Sequence, residues 1–203
     1  MSAVLEDEDK NDGVYGESVC KYYDESSFLE KFSSSSYPVI MSGNIQSLQS
    51  KFNSFSDWLT ILESKNLIID VIALQECWEI KDPSSTALHS YHDFIFNTRT
   101  KARGGGVGFY VKKSLNYTLI HELSFFVERV FESICISVDL GENNNILLIS
   151  LYRPPAHNSL TLTEQSEAFL DNLESLLSKI DNLKCKAFIL KDSCCCYCCC
   201  CCY

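Results

Sequence analysis

The sequence predicts an α/β domain in which buried strands alternate with amphipathic helices. Six of the seven residues at 68–74, all except Asp70, are apolar, and most of them are β-branched, which is typical of a fully buried strand. Apolar residues recur every three or four positions between residues 48 and 62, and again between residues 169 and 183, as on the packed face of a helix. Ligands of α/β folds bind beyond the carboxyl ends of the strands, so function is sought there.

The chain before residue 38 is predicted to be a flexible leader. Residues 1–37 hold nine acids against three Lys or Arg and include four consecutive serines, with no sustained hydrophobic period. A short strand then begins at Val39 and stops at residues 42–44, which places Asn44 in the turn to the first helix. The domain itself is predicted to cover residues 38–192.

Several further strands follow the central one. They are predicted at residues 94–96, 107–111, 117–120, 131–138, 146–151 and 187–190. Three glycines at residues 104–106 make a sharp turn, after which the strand at 107–111 is expected to pair with 117–120 as a hairpin. Alternation places Glu132 on the more apolar face of its strand. A capping box at Thr161 and Glu164 opens the last helix.

Composition limits the class of protein. The chain has 203 residues, 46% of them hydrophobic, and a net charge of −10, which fits one globular domain with tails. It has no apolar run of the length of a membrane span, and its first residues are acidic where a signal peptide is basic. We therefore expect an intracellular protein of the nucleus or cytoplasm, which is not secreted and has no membrane partner.

One segment is locally cationic although the whole chain is acidic. Residues 94–121 contain no acid. The basic residues there are Arg99, Lys101, Arg103, Lys112 and Lys113. This segment is a candidate contact for the DNA backbone. The alternative is that Arg103 and its glycines form a hairpin turn and nothing more.

Eight of the twelve cysteines lie between Cys194 and Cys202, in a tail that spans residues 193–203. Metal motifs space their cysteines by two or more residues so that several thiolates reach one ion, and this run does not. We interpret the tail as a translated simple nucleotide repeat or a shifted reading frame. The four scattered cysteines are expected to behave as small buried or half-buried hydrophobic residues in a reducing compartment.

Polar residues fall at the ends of four predicted strands. They are Asn44, Glu76, Tyr152 and Asp192. Alternating strands and helices bring such ends to one edge of the domain. An amide, two carboxylates and a phenol suit a hard divalent cation such as Mg²⁺, which prefers oxygen ligands. For three of these residues the alternative is structural: a solvated acid at 76, a turn amide at 44 or a core aromatic at 152.

Six motifs in order resemble the endonuclease/exonuclease/phosphatase superfamily, and most of all the apurinic-type endonuclease domain of jockey-like non-LTR retrotransposons. They are SGNIQSL (42–48), ALQECW (73–78), RGGGVGFYV (103–111), FESICISV (131–138), LYRPP (151–155) and AFIL (187–190). The resemblance implies a DNase I-like fold, which is a four-layer α/β sandwich with two mixed sheets. It also implies hydrolysis of phosphodiesters with Mg²⁺ or Mn²⁺, in order to nick DNA and prime reverse transcription.

The resemblance also implies roles for individual residues. Glu76 would ligate the metal, Asn44 would help to ligate or orient it, and Tyr152 would donate a hydrogen bond to the scissile phosphate. Glu132 matches a recurring acid near the site, and Asp192 matches the acid of a Gly-Asp-Phe-Asn motif.

The sequence departs from the family pattern after residue 190. Residues 191–194 read Lys-Asp-Ser-Cys in place of Gly-Asp-Phe-Asn, and no histidine follows His157 to supply the late Ser-Asp-His motif. We therefore expect a fold that is incomplete at the C-terminus and a catalytically impaired chain. The alternatives are a non-catalytic relic that binds nucleic acid and a phosphatase acting on a phosphorylated small molecule or lipid head group.

Overall fold

The computed structural model describes residues 2–5, 20–33, 35, 37–98, 104–141, 144–155, 161–191 and 200–202. Its α-helices are α1 (Glu25–Phe32), α2 (Leu48–Ser64) and α3 (Leu162–Leu183). The first six strands are β1 (Ser2–Leu5), β2 (Cys20–Tyr23), β3 (Ile40–Asn44), β4 (Val71–Gln75), β5 (Ile95–Asn97) and β6 (Val107–Val111). The others are β7 (Asn116–Leu119), β8 (Phe126–Val127), β9 (Phe131–Asp139), β10 (Asn145–Tyr152), β11 (Lys186–Lys191) and β12 (Cys200–Cys202).

Two mixed sheets form the centre of the molecule. The first sheet has the order β3-β4-β6-β5, and the second has the order β12-β11-β10-β9-β7, with β8 also paired to β9. Helix α2 connects the parallel pair β3 and β4, and helix α3 connects the parallel pair β10 and β11. Parallel strands need such crossovers, and each helix covers the outer face of its own sheet. Strands β1 and β2 pair separately as an antiparallel ribbon.

Every residue of β4 is buried because both of its faces are covered. Ile72 and Leu74 share a core with the apolar face of α2, whereas Val71 and Ala73 share a core with the second sheet. The outer face of the second sheet packs in the same way against α3. The layers are therefore helix, sheet, sheet and helix, which confirms the predicted four-layer α/β sandwich.

The predicted hairpin between residues 107–111 and 117–120 is wrong. Strand β6 pairs with β4 and β5, whereas β7 pairs with β9 in the other sheet. Both β6 and β7 contribute side chains to the inter-sheet core, so the same alternation of apolar residues is satisfied in either sheet. The pattern alone could not assign β7 to its partner.

Part of the predicted flexible leader is a helix. Asp24 caps α1 by accepting a hydrogen bond from the Ser27 N–H at 2.8 Å, and this bond lowers the pKa of the Asp24 carboxyl. Phe28, Leu29 and Phe32 pack against the core beneath α2. The helix has eight residues, so its apolar face is too short to give a sustained period in the sequence.

The capping box of α3 is present as predicted. Thr161 Oγ1 accepts a hydrogen bond from the Glu164 N–H at 3.2 Å, and Glu164 Oε2 accepts one from the Thr161 N–H at 2.8 Å. The bond from the Thr161 N–H, together with one that the Thr161 hydroxyl donates to the same carboxylate oxygen at 2.7 Å, lowers the pKa of the Glu164 carboxyl. Among the described residues, no helix combines the length and the apolar character that crossing a membrane requires.

Candidate active site

The inter-sheet core becomes polar at one end of the sandwich. Strands β3, β4, β9 and β10 each turn one face to the other sheet, and away from this end that face is apolar. The same face carries polar side chains where β3, β4 and β10 end and where β9 begins. These polar side chains are Ser42, Asn44, Gln75, Glu132, Ser150 and Tyr152. Strand pairing places them at one edge, because Asn44 lies beside Gln75 and Tyr152 lies beside Glu132.

Glu76 is the centre of this polar edge. Its Oε1 accepts two hydrogen bonds, one from Asn44 Nδ2 and one from the Tyr152 hydroxyl, each at 2.9 Å. Its Oε2 accepts no hydrogen bond from any residue that the structure describes. The structure thus brings together three of the predicted site residues and leaves one oxygen of the carboxylate for another partner.

The orientation of the Asn44 amide is fixed by a backbone group. Asn44 Oδ1 accepts a hydrogen bond from the Gln46 N–H at 3.1 Å, and a backbone N–H can only donate. The amide nitrogen therefore faces Glu76. Since that nitrogen carries hydrogens, the geometry favours an orienting role for Asn44 over direct ligation of a metal by the atom nearest Glu76.

The backbone around Glu76 is held on both sides. Glu76 has a φ of +53°, in the left-handed region. The N–H groups of residues 47 and 48 donate to the carbonyls of residues 76 and 77 at 2.8 and 3.0 Å. The N–H groups of residues 77 and 78 donate to the carbonyls of residues 106 and 105 at 3.1 and 2.8 Å. This ladder stabilises a conformation that a non-glycine residue seldom adopts.

Glu132 forms a hydrogen bond with the backbone of the glycine turn. Its side chain is 2% exposed, on the apolar face of β9 as predicted. Glu132 Oε2 accepts a hydrogen bond from the Gly106 N–H, and Gly106 in turn accepts the Cys77 N–H. A buried carboxylate needs such donors, so the bond both satisfies Glu132 and fixes the turn beside Glu76.

Cys77 lies next to Glu76 but is not a nucleophile. Burial and the negative charge of Glu132 raise the pKa of the Cys77 thiol well above its ordinary value. Burial also raises the pKa of Cys135 to about 12, with a smaller contribution from Cys185. Of the four scattered cysteines, Cys77 and Cys135 are buried as predicted, whereas Cys185 is exposed, which corrects the prediction for that residue. The side chain of Cys20 lies outside the described part of the structure. Cys185 follows the last turn of α3, where the side chain faces solvent.

We expect iodoacetamide at pH 8 to separate these thiols. The raised pKa values of Cys77 and Cys135 keep both thiols protonated at this pH, and the thiolate is the reactive form. Cys185 should be alkylated within minutes, and the two buried cysteines only after unfolding in urea. Peptide mass spectrometry resolves the three positions, and modification of native Cys77 at the rate of Cys185 would contradict the assignment.

Two of the five predicted basic residues, Lys112 and Lys113, are described by the structure, and neither lies at this edge. Strand β6 runs antiparallel to β4, so Lys112 and Lys113 follow its far end, a five-residue strand or roughly 17 Å from the glycine turn. Lys113 Nζ donates to the carbonyl of His89 there, at 2.9 Å. Four residues of the sequence analysis lie outside the described residues. They are Arg99, Lys101, Arg103 and Asp192.

Gln75 is a polar residue of this edge that the sequence analysis did not single out. It is fully buried, and its amide nitrogen donates to groups on three other strands. The sequence does contain a signal for it: Val71, Ala73 and Gln75 are spaced by two and so share one face of the strand, and Gln75 places a polar amide at the end of that otherwise apolar face.

Comparison with solved structures gives the fold class. The structure is similar to D. rerio TDP2 complexed with single-strand DNA product, with 16% identity and a TM-score of 0.52, over 78% of this chain and 61% of that chain. It is similar to an AP endonuclease from Archaeoglobus fulgidus, with 18% identity and a TM-score of 0.51, over 77% and 57%. It is also similar to truncated Caenorhabditis elegans TDP2, with 16% identity and a TM-score of 0.51, over 75% and 60%.

These similarities establish the fold. The chain has a DNase I-like four-layer sandwich, which is the fold that the resemblance of the six motifs implied. It spans about three fifths of the length of each of these structures. No family model matches the sequence, and no curated protein sequence matches it.

The donors at this edge fit Mg²⁺, which needs few protein ligands, better than a metal ion whose ligands all come from the protein. Among the described residues, no group of three or more His, Cys, Asp or Glu is placed to hold an ion. Mg²⁺ is commonly bound by one or two carboxylates, with waters and substrate phosphate oxygens completing its octahedron. A single carboxylate oriented by an amide and a phenol, as Glu76 is, meets that requirement.

Proposed function

We propose that the chain is a phosphodiester hydrolase that depends on a divalent metal, with Glu76 as the metal ligand. The observation that carries this proposal is the pair of hydrogen bonds from Asn44 and Tyr152 to one oxygen of Glu76, at the carboxyl end of a buried strand. Two donors on Oε1 orient the carboxylate, and Oε2 is the oxygen that would hold the ion. The fold supports the same conclusion, since it is that of the superfamily to which the motifs point.

The protein groups would act on the substrate as follows. When bound, Mg²⁺ neutralises charge on the phosphate and supplies a site for the attacking water. Asn44 holds the carboxylate, and its own amide is held by the Gln46 N–H. The Tyr152 phenol has one O–H, which donates to Glu76 at 2.9 Å, so a phosphate oxygen must compete for this hydrogen or share it. Tyr152 thus links the metal ligand to the substrate.

DNA is the substrate we propose, with nicking by a retrotransposon-derived endonuclease as the activity. The order of the six motifs supports this choice, and the basic residues at 99–103 supply cations next to the glycine turn in the sequence. Two of the similar structures are named as a TDP2 with a single-strand DNA product and an AP endonuclease. A phosphatase for a small molecule or a lipid head group is the alternative on the same fold.

A plasmid-nicking assay tests the proposal. Supercoiled plasmid should be converted to the open circle with Mg²⁺ or Mn²⁺ and should remain supercoiled with EDTA. The conversion should be slow, because the Gly-Asp-Phe-Asn and Ser-Asp-His motifs implied by the resemblance are absent. No nicking, together with retained binding of a DNA duplex, would indicate a non-catalytic relic that binds nucleic acid. Release of phosphate from a phosphorylated small molecule without nicking would indicate the phosphatase.

Tyr152→Phe is expected to slow nicking by about a hundredfold, the usual effect of removing one donor to a reacting phosphoryl or acyl oxygen. The free energy of unfolding should fall by about 2 kcal/mol, the usual contribution of a hydrogen bond to a charged group such as Glu76. Tyr117→Phe is the matched control, because Tyr117 pairs with Val138 at the other end of the second sheet. Equal rates for the two variants in a single-turnover assay would remove Tyr152 from the mechanism.

A further inference from the structure

Gln75 connects the two sheets beneath the site. Its side chain is 0% exposed, and its Nε2 lies 3.2 Å from Ser42 Oγ, 2.9 Å from Ser150 Oγ and 3.3 Å from the Leu190 carbonyl. Because a carbonyl can only accept, the amide nitrogen must face Leu190, which fixes the orientation of the side chain. The nitrogen has two hydrogens for three acceptors, so one hydrogen is shared.

The three acceptors lie on three strands. Ser42 is on β3 of the first sheet, whereas Ser150 and Leu190 are on β10 and β11 of the second. Stacked sheets are separated by about 10 Å, and the apolar contacts that fill this space are non-directional, so by themselves they resist sliding of one sheet over the other less than directional contacts do. Directional hydrogen bonds across the space oppose such sliding. Gln75 therefore fixes the position of one sheet relative to the other at this end.

This connection acts one residue away from the metal ligand. Gln75 directly precedes Glu76, and Ser150 precedes Tyr152 by two positions on the same face of β10. The 2.9 Å bond between Gln75 and Ser150 thus holds the strand end that carries Glu76 against the strand end that carries Tyr152. The 2.9 Å bond between Tyr152 and Glu76 is the next contact along the same two strands.

We infer that Gln75 is a positioning residue, which holds the two sheets at the separation that the hydrogen bond from Tyr152 to Glu76 requires. Only its consequence for metal affinity rests on the proposed function. The hydrogen bond itself can be measured without any metal, so a failure of the proposed function and a failure of this inference give different results.

The first measurement is ¹⁹F NMR of protein in which the ten tyrosines carry 3-fluorotyrosine. The Tyr152 signal is assigned from its loss in Tyr152→Phe. Glu76→Gln calibrates the effect, because an amide oxygen is a weaker acceptor than a carboxylate and should shift the signal. Gln75→Met, which keeps the length of the side chain without its donors, should shift the signal in the same direction.

Tyr91→Phe is the matched control for a general loss of stability. The Tyr91 hydroxyl is buried and donates to the Ile69 carbonyl at 2.6 Å, on the other side of the first sheet. This variant should lower the melting temperature and leave the Tyr152 signal in place. If Gln75→Met does not fold, Ser150→Ala removes one acceptor and should give the same shift with a smaller amplitude. An unshifted signal in the folded variant, or an equal shift in Tyr91→Phe, overturns the inference.

The second measurement is Mn²⁺ binding followed by the EPR signal of the free ion. Replacing a group that orients a metal ligand commonly weakens affinity by about 10-fold to 100-fold, and Gln75→Met should fall in that range. Unchanged affinity with a shifted Tyr152 signal would contradict a role for Gln75 in metal binding. If the unsubstituted protein binds no Mn²⁺, the proposed function fails, and the ¹⁹F result still decides the role of Gln75.

Discussion

Glu76→Gln is expected to remove Mn²⁺ binding and to slow Mg²⁺-dependent nicking by at least about a hundredfold, since loss of a ligand exceeds the effect of losing its support. The substitution keeps the size of the side chain but removes the negative charge that a hard cation requires. Glu76 Oε1 accepts from Asn44 and Tyr152, and an amide oxygen at that position can still accept both bonds. The fold should therefore persist, and the loss should be specific to the metal.

Glu79→Gln is the control for this prediction. Glu79 lies three residues further along the same loop and is exposed, so its replacement changes the net charge equally. Its variant should keep both Mn²⁺ affinity and nicking. Titration of both variants with Mn²⁺, with circular dichroism as the test of folding, separates a ligand from a nearby charge. Nicking that survives in Glu76→Gln at the rate of Glu79→Gln would end the assignment of Glu76.

The elements with strong periods could be predicted from the sequence, and the pairing of strands could not. Helix α2 buries Leu48, Phe55, Leu59 and Leu62, which are four of the five residues of the predicted stripe, and the fifth, Phe52, is half-buried. Strand β7 pairs with β9 in the second sheet, and this could not be predicted because the alternating pattern of a half-buried strand is compatible with many partner strands. Helix α1 was missed because its apolar face covers a single turn.

The site was partly predictable for a physical reason. The crossover through α2 makes β3 and β4 parallel, so Asn44 and Glu76 lie at the same edge of the first sheet. The hydrogen bond from Tyr152 to Glu76 shows that β10 of the second sheet ends at that edge too. The sequence does not determine the direction of β6, because the loop before it is long enough for either parallel or antiparallel pairing. Lys112 and Lys113 consequently lie at the opposite edge. The bridging role of Gln75 needed the second sheet to be in place.

Gly108→Ala is expected to destabilise the fold by about 3 kcal/mol, the upper part of the range for overpacking in a core. Gly108 lies in β6, directly beside Phe96 of β5. A Cβ atom there would lie 2.4 Å from Phe94 Cζ and 2.7 Å from the Ile95 carbonyl oxygen. The Phe94 ring packs against the ring of Tyr110, with the ring centres 4.5 Å apart, and this contact opposes its rotation away from the new Cβ atom. The carbonyl belongs to a paired strand, so the backbone of β5 must retreat.

Gly141→Ala separates this effect from the general loss of a glycine. Gly141 has a φ of +85° and no atom within 4 Å of a built Cβ, so its variant suffers backbone strain alone, about 1 kcal/mol. Urea unfolding at an unchanged slope should therefore give a larger fall in midpoint for Gly108→Ala. Adding Phe94→Leu to Gly108→Ala should recover part of the loss, because it removes the ring contact and leaves the carbonyl contact. Equal midpoints for the two glycine variants would mean that β5 does not lie against Gly108 as the structure places it.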